Sequence, residues 1–226
     1  MPLNKVKGNM YGFVTHTWNT VKGICPHGCQ YCYMSKRGKL NPVRLDTREF
    51  KTDLGTGNTI FVGSSCDMWA EAIPDDWILA TLFHMKKFPN NTYFFQSKNP
   101  SRFFEFMLYL NFSHAFQEVI FCTTVETNRV YPQMGSTLSP LIRTTFMKAV
   151  SEFHKTHITI EPIMDFDLKR LLMLIKRVNP VQVNIGADSK GCKLPEPSPE
   201  KLNSLIQELR GLVPVVYLKP NLKRLL

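Results

Sequence analysis

Three cysteines crowd into one short run, Cys25-Pro26-His27-Gly28-Cys29-Gln30-Tyr31-Cys32, with the aromatic Tyr33 directly after it. The spacing is C-x₃-C-x₂-C. Three thiols are an odd number and cannot all pair as disulfides among themselves. Thiolates are the usual protein ligands of iron–sulfur clusters. Three of them can hold three irons of a [4Fe–4S] cluster and leave the fourth iron without a protein ligand. A zinc knuckle and a set of reactive thiols are the competing readings. Structural zinc takes four protein ligands, and no further Cys or His completes the set at C-x₂-C or H-x₃-H spacing. His27, inside the loop, is badly placed to turn back onto the same metal.

Such a loop needs a scaffold, and the rest of the chain reads as one. Apolar, β-branched runs alternate with segments of helical period. Strands are expected over 11–17, 59–63, 92–96, 118–125, 158–160, 181–185 and 213–218. The last run carries Pro214, which suits a sheet edge. Between them, a helix opens at Pro74-Asp75-Asp76 with Trp77, Ile78, Leu82 and Met85 inward, and one capped by Asn99-Pro100 turns Phe103, Phe106, Met107 and Leu110 inward. Ser139-Pro140 starts a helix with Ile142, Phe146, Val150 and Phe153 inward. Asp167 opens a Leu-rich helix through Val178, and the stiff 195–199 loop caps a last helix with Leu202, Leu205, Ile206 and Leu209 inward. Regular strand–helix alternation predicts parallel strands with right-handed crossovers. Six or seven units are too few for a closed eight-fold barrel. The fold class is therefore α/β, an open partial (β/α)6 TIM-like barrel, in a single domain over 1–226 with an irregular basic insertion at about 35–58.

The chain has 226 residues, 43% apolar and 12% aromatic, ordinary for a globular protein with a sizeable core. No apolar run is long enough for a membrane helix, and the N-terminus lacks the apolar segment of a signal peptide. A cytoplasmic location, where thiols stay reduced, is expected, as is a monomer. Net charge is +10, which favours polyanionic partners. Lys36, Arg37, Lys39, Arg44, Arg48 and Lys51 follow the cysteine loop against only Asp46 and Glu49, and Lys219, Lys223 and Arg224 lie near the C-terminus. Nucleic-acid contact and a solvated basic surface are both open for the 36–51 stretch.

In folds of this class active residues sit at the C-terminal ends of strands. Read in order, those ends carry the cysteines, then Gly63-Ser64-Ser65-Cys66-Asp67, Gln96-Ser97-Lys98, Thr124-Val125-Glu126, Ile160-Glu161-Pro162 and Asn184-Ile185-Gly186-Ala187-Asp188. Each run passes from apolar into polar residues. Cys122 reads as core.

The cysteine loop resembles the signature of the radical S-adenosylmethionine (SAM) superfamily, down to the aromatic after the last cysteine. The resemblance implies that Cys25, Cys29 and Cys32 hold the cluster and that SAM chelates the open iron. An electron then cleaves SAM to methionine and a 5′-deoxyadenosyl radical, delivered by a donor such as flavodoxin or ferredoxin. It also implies the partial barrel of six units. A SAM pocket would draw on Tyr33, on Gly63 and Ser64 near the amine, on Lys98 and Thr124 for the carboxylate, and on Glu126 for the ribose hydroxyls. Glu161, Asn184 and Asp188 would face adenosine or substrate. For each of these, a loop residue satisfying local backbone groups is the bland alternative.

The order of Trp18-Asn19, the cysteine loop, Ser64 to Asp67, Ser97 to Pro100, Thr124 to Glu126, Ile160 to Pro162, Gly186 to Ser189 and Val215 to Pro220 resembles a small phage-associated radical SAM group, a domain of unknown function. Members of that group have a longer stretch between the cysteines. A second resemblance is to the spore photoproduct lyases, which repair a thymine dimer in DNA. There a lysine after strand three and a hydroxyl on strand four contact the SAM carboxylate, matching Lys98 and Thr124. A cysteine after strand two returns a hydrogen atom to the product radical there, and Cys66 stands in that place. As a small free cysteine it also reads as buried apolar filler. This chain is shorter than those lyases, without an evident extension for opening duplex DNA, and has no further C-terminal cysteines for auxiliary clusters.

A one-cluster radical SAM enzyme acting on a nucleobase or nucleotide, in DNA or tRNA modification or repair, is the leading expectation. A small-molecule or peptide substrate is the enzymatic alternative. A non-catalytic iron–sulfur module that binds nucleic acid or senses redox state is the other.

Overall fold

Seven strands run parallel in one sheet, and six of them lie where the apolar runs place them. The computed structural model describes residues 3–6, 10–35, 38–110 and 115–226. The strands are β1 (Asn4–Lys5), β2 (His16–Trp18), β3 (Val21–Lys22), β4 (Arg44–Leu45), β5 (Thr59–Val62), β6 (Thr92–Ser97), β7 (Glu118–Thr124), β8 (Lys155–Ile160), β9 (Gln182–Ile185) and β10 (Val215–Leu218). The helices are α1 (Asp75–Met85), α2 (Ser101–Leu110), α3 (Pro140–Ser151), α4 (Leu168–Val178) and α5 (Pro199–Leu212). The main sheet has the order β1-β2-β5-β6-β7-β8-β9-β10, with β1 and β10 at its open ends. All neighbours are parallel except β1, which pairs antiparallel with β2. Together these elements form the expected open partial (β/α) barrel. Just after Pro214, β10 forms the edge beyond β9.

Alternation along the strands assigns the two faces. Ile60, Val62, Tyr93, Phe95, Val119, Phe121, Ile158, Val183 and their neighbours bury against the apolar stripes of all five helices. Leu202, Leu205, Ile206 and Leu209 of α5 are all buried there. The other, inner face carries Phe61, Phe94, Ile120 and Cys122, and these form a separate cluster. Cys122 is core, as expected.

Two expectations change. The first parallel strand is β2, shorter and later than 11–17. The segment before it turns inward instead and fills the inner face. Tyr11 packs on Phe13 and edge-on to Phe94, and Phe13 meets His157 edge-on. The Tyr11 hydroxyl donates to Gln96 Oε1 at 2.7 Å and shares a hydrogen bond with Thr159 Oγ1 at 2.8 Å. Aromatic bulk and a hydroxyl that finds two partners favour this plug over a strand.

Second, α3 is turned from the expected face. Arg143, Thr144, Met147 and Val150 are buried, while Ile142 and Phe153 are exposed. Both stripes have helical spacing, and the inward one wins because Arg143 has a buried carboxylate to meet. The crossover from β2 to β5 contains no α-helix among the described residues. It is made of the β3–β4 hairpin and a 3-10 turn over Thr47–Lys51, capped by the Asp46 side chain on Arg48 N–H. Among the described residues no helix is long and apolar enough to cross a membrane.

The plug is testable by stability. Replacing Tyr11 with Ala removes a buried ring and should cost about 3–5 kcal/mol. Tyr11→Phe removes only the hydroxyl and strands Gln96 and Thr159, at about 1–3 kcal/mol. Urea midpoints at unchanged slope read both. Equal, near-zero effects would mean that the segment is not part of the core.

Candidate functional site

The cysteine loop leaves β3 and is folded by two tight turns, Gly28 N to Cys25 O at 3.3 Å and Cys32 N to Cys29 O at 3.1 Å. What fixes it comes from far along the chain. Gln30 N donates to Gln133 O at 3.0 Å, Ser136 N to His27 O at 2.8 Å, and Cys29 Sγ to Met134 O at 3.1 Å. The loop after β7 thus lies directly on the cysteine loop. Gly135 makes the approach possible: its φ is +68°, and a Cβ there would stand 2.1 Å from His27 O. Tyr31 packs with Met134, Met164 and Leu194, and Cys29 and Cys192 border that cluster.

Two carboxylates, one partly and one fully buried, complete the anchoring. Asp67, after β5, accepts from His27 Nε2 at 2.7 Å, Ser97 Oγ at 2.8 Å, Lys98 N at 2.9 Å and Trp69 N at 3.0 Å. One side chain therefore joins the cysteine loop to the ends of β5 and β6. Burial would push Asp67 up, but His27 and these donors hold it below its ordinary value. His27 is raised in turn, because Asp67 and Cys25 outweigh its own burial. The loop carrying Asp67 is itself held by Arg102, which donates to Ala70 O at 2.9 Å and Ile73 O at 2.7 Å and pairs with Asp75.

Glu126, after β7, has no exposed surface. Its Oε1 accepts from Lys98 Nζ at 2.7 Å and from the Tyr31 hydroxyl, and its Oε2 accepts from Arg143 at 2.7 Å. Arg143 is also fully buried and donates onward to Thr124 O at 2.7 Å and Leu138 O at 2.6 Å. Burial alone would raise Glu126. The charges of Arg143 and Lys98 hold it well below the usual carboxylate range. Lys98 Nζ also donates to the Tyr31 hydroxyl at 2.9 Å and reaches Cys29 Sγ at 3.5 Å. Its three N–H bonds therefore go to Glu126, to Tyr31 and to the rim of the cysteine loop.

The remaining expected residues fall into two groups. Near the cysteines, Gly63 turns with φ +80°. Ser64 Oγ and Ser65 N both donate to Asn19 Oδ1, at 3.1 and 2.8 Å. Tyr33 donates its hydroxyl to Ser64 O. Cys66 is buried beside Cys25, and the interaction of the two thiols lowers Cys25 and, with burial, raises Cys66. Thr124 Oγ1 accepts from Gln96 Nε2 at 3.1 Å.

Across the sheet, Glu161 accepts from Lys219 Nζ at 2.6 Å and Asn221 Nδ2 at 2.9 Å. Lys219 Nζ stands 4.9 Å from the centre of the Tyr11 ring. Asn184 is buried and bonds Gln182 at 2.7 Å and Thr159 at 3.4 Å. Asp188 accepts from the N–H groups of Lys190, at 2.8 Å, and Cys192.

Both Glu126 oxygens are buried and engaged by Lys98, Tyr31 and Arg143. Asp188 spends its carboxylate on its own loop. The sequence reading also passed over His27, Tyr31, Arg143, Lys219 and Asn221. Tyr31 was visible beside Cys32, and Lys219 stands at a strand end like the others. Arg143 carried only the signal that 143, 147 and 150 share a helical stripe.

The three loop cysteines are free thiols and partly exposed. Zinc bound at about 2.3 Å would draw its thiolates to within about 3.8 Å of one another. No three His, Cys, Asp or Glu side chains among the described residues gather around one ion in that way. The donor set suits a group that takes one thiolate per iron.

No family model matches the chain, and no curated protein matches its sequence. Solved structures do match. A double mutant of spore photoproduct lyase with bound AdoMet and dinucleoside spore photoproduct aligns at TM-score 0.66 and 10% identity, over 93% of this chain and 78% of that one. The likeness is one of fold. A single mutant of the same lyase gives TM-score 0.65 at 11% identity over 95% and 79%. A further mutant with dinucleoside spore photoproduct gives 0.66 at 10% over 96% and 80%.

Two measurements check the anchoring. Gly135→Ala should push the cysteine loop out of place and speed alkylation of Cys25, Cys29 and Cys32 in the metal-free chain. Gly12→Ala, with open space around it, should leave the rate unchanged. Glu126→Gln should cost about 3–5 kcal/mol at neutral pH, because Arg143 is left buried without its counter-charge. The folded carboxyl is depressed, so its stabilisation is present above the ordinary value of about 4.3 and fades as pH falls through the depressed one. The gap between wild type and variant should therefore narrow below about pH 5. A gap that is constant with pH would show that Glu126 is not ionised in the fold.

Proposed function

We propose that this chain is a radical SAM enzyme whose substrate is a nucleobase or nucleotide. The observation that carries the reading is one constellation. Three free thiols at C-x₃-C-x₂-C spacing sit on a loop clamped from β5, β6 and β7, with Lys98 Nζ directed at its rim. The fold is that of spore photoproduct lyase, whose structures bind AdoMet and a dinucleoside photoproduct. That likeness supports both the cofactor and the substrate class. The kinship with the phage-associated group rests on motif order alone.

In this reading Cys25, Cys29 and Cys32 hold a [4Fe–4S] cluster. When bound, such a cluster supplies the electron that cleaves SAM to methionine and a 5′-deoxyadenosyl radical. The protein's own part is binding and orientation. Lys98, whose third N–H reaches the rim at Cys29, would meet the carboxylate of SAM, with Thr124 beside it. Glu126 is a positioning residue that fixes Lys98 and Tyr31. Gly63 and Ser64 would border the amine, and Tyr33, held on Ser64 O, would close the rim. Glu161 and Asn184 would face adenosine or substrate, and Asp188 would shape the loop around them. Cys66 is the candidate hydrogen-atom donor. A one-electron carrier of flavodoxin or ferredoxin type would serve as reductant, in a compartment that keeps thiols reduced.

Anaerobic reconstitution with iron and sulfide, followed by dithionite and SAM, should yield 5′-deoxyadenosine. A cluster without 5′-deoxyadenosine sinks the reading in favour of a binding module. Cys66→Ala should still form 5′-deoxyadenosine but alter the product. Nucleosides from cells with and without the protein should differ in mass spectra, and identical nucleosides would remove the nucleotide substrate.

A further inference from the structure

In the basic stretch after the cysteine loop, Arg48 is spent on Asp46 at 2.9 Å. Lys36 and Arg37 lie outside the described residues. A second group of cations lies at the other end of the sheet.

Beyond the ends of β9 and β10 lies a groove of about 770 Å³, within the range that holds a nucleotide-sized ligand. One wall is the 188–196 loop, and the other is the 3-10 turn Pro220–Leu225. Lys193, Lys223 and Arg224 line it. Its two carboxylates are already committed. Asp188 caps its own loop, and Glu196 pairs with Arg224. Among the described residues no carboxylate pairs with Lys193 or Lys223. Lys193 has φ +53°, a left-handed conformation that is unusual for a lysine and recurs at ligand clamps.

Asn221, in the lining of the groove, also touches the strand-end residue Glu161. Its Nδ2 donates to Glu161 Oε1 at 2.9 Å and to Ala187 O at 2.8 Å, while its Oδ1 is buried without a partner. A protein partner would want exposed aromatic or aliphatic anchors. The apolar side chains of the groove are those of Leu194, which is buried, and Pro220, with no aromatic residue among them. Chemistry on a base in a polymer needs a single strand or a flipped nucleotide. The backbone on either side must then leave the pocket along a charged path.

We infer that this groove is a phosphate track for a single-stranded nucleic-acid segment. Lys193 and Lys223 each neutralise a phosphodiester next to the unit held in the pocket. The inference rests on the nucleotide reading above and narrows it: the substrate is a strand and not a free nucleoside.

Fluorescence anisotropy of a labelled single strand of about ten nucleotides, measured on the reconstituted full chain across a salt series, tests it. Lys193→Ala/Lys223→Ala should flatten the slope of log K against log salt by about 1.4. That corresponds to binding about 25-fold weaker at 0.1 M salt. Lys39→Ala/Arg44→Ala on the β3–β4 hairpin should bind as wild type does. Unchanged affinity and slope in the groove variant would overturn the track. So would an equal loss in the hairpin variant, which marks diffuse attraction, or no binding by wild type. Formation of 5′-deoxyadenosine by the wild-type chain is scored separately. Its absence beside groove-dependent binding defeats the radical chemistry and leaves the track standing.

Discussion

A carboxylate with no access to water holds this site together. Removing a charge from water costs several kcal/mol, and a pair recovers it only with good geometry and full hydrogen bonding. Glu126 meets that demand with Arg143, Lys98 and Tyr31. Those partners belong to α3, the end of β6 and the cysteine loop. The requirement to neutralise one buried charge therefore fixes the rotation of a helix, the aim of a lysine and the seat of a loop. Asp67 does the same for β5, β6 and His27. With both in place, the cysteine loop needs no regular structure of its own.

Regular elements were legible because their periodicity is local. The runs at 92–96 and 118–125 and the stripe Leu202, Leu205, Ile206 and Leu209 carry their burial pattern in neighbouring residues. The candidate site was half legible. Strand ends announced Lys98, Thr124, Glu126 and Glu161 by the change from apolar to polar residues. Their partners were not announced, because Glu126 chooses between Arg143 and the ribose of a ligand only in three dimensions. Tyr11 misled for a related reason. An aromatic beside β-branched residues has strand propensity, but Gln96 and Thr159, which decide its place, stand 85 and 148 positions away.

Charge follows the same lesson. In the densest basic stretch of the sequence Arg48 is spent on Asp46, and Lys22 from outside it takes up Asp46 and Glu49 as well. The sparser cations of the 188–196 loop and the C-terminal turn remain open, because the acids beside them serve backbone N–H groups and Arg224. Electrostatic character here depends on which acids are spent internally, and composition does not record that.

The inward turn of residues 10–14 has a consequence for how the molecule is made. Synthesis delivers residues 10–14 before the groups that receive Tyr11, which come from β6 and β8. Its pairing with Thr159 closes a separation of 148 residues, so this contact waits until β8 has been made. Until then residues 10–14 are an unsatisfied apolar segment, and contacts of such long range form slowly. They seal the inner face only after the sheet around them is complete.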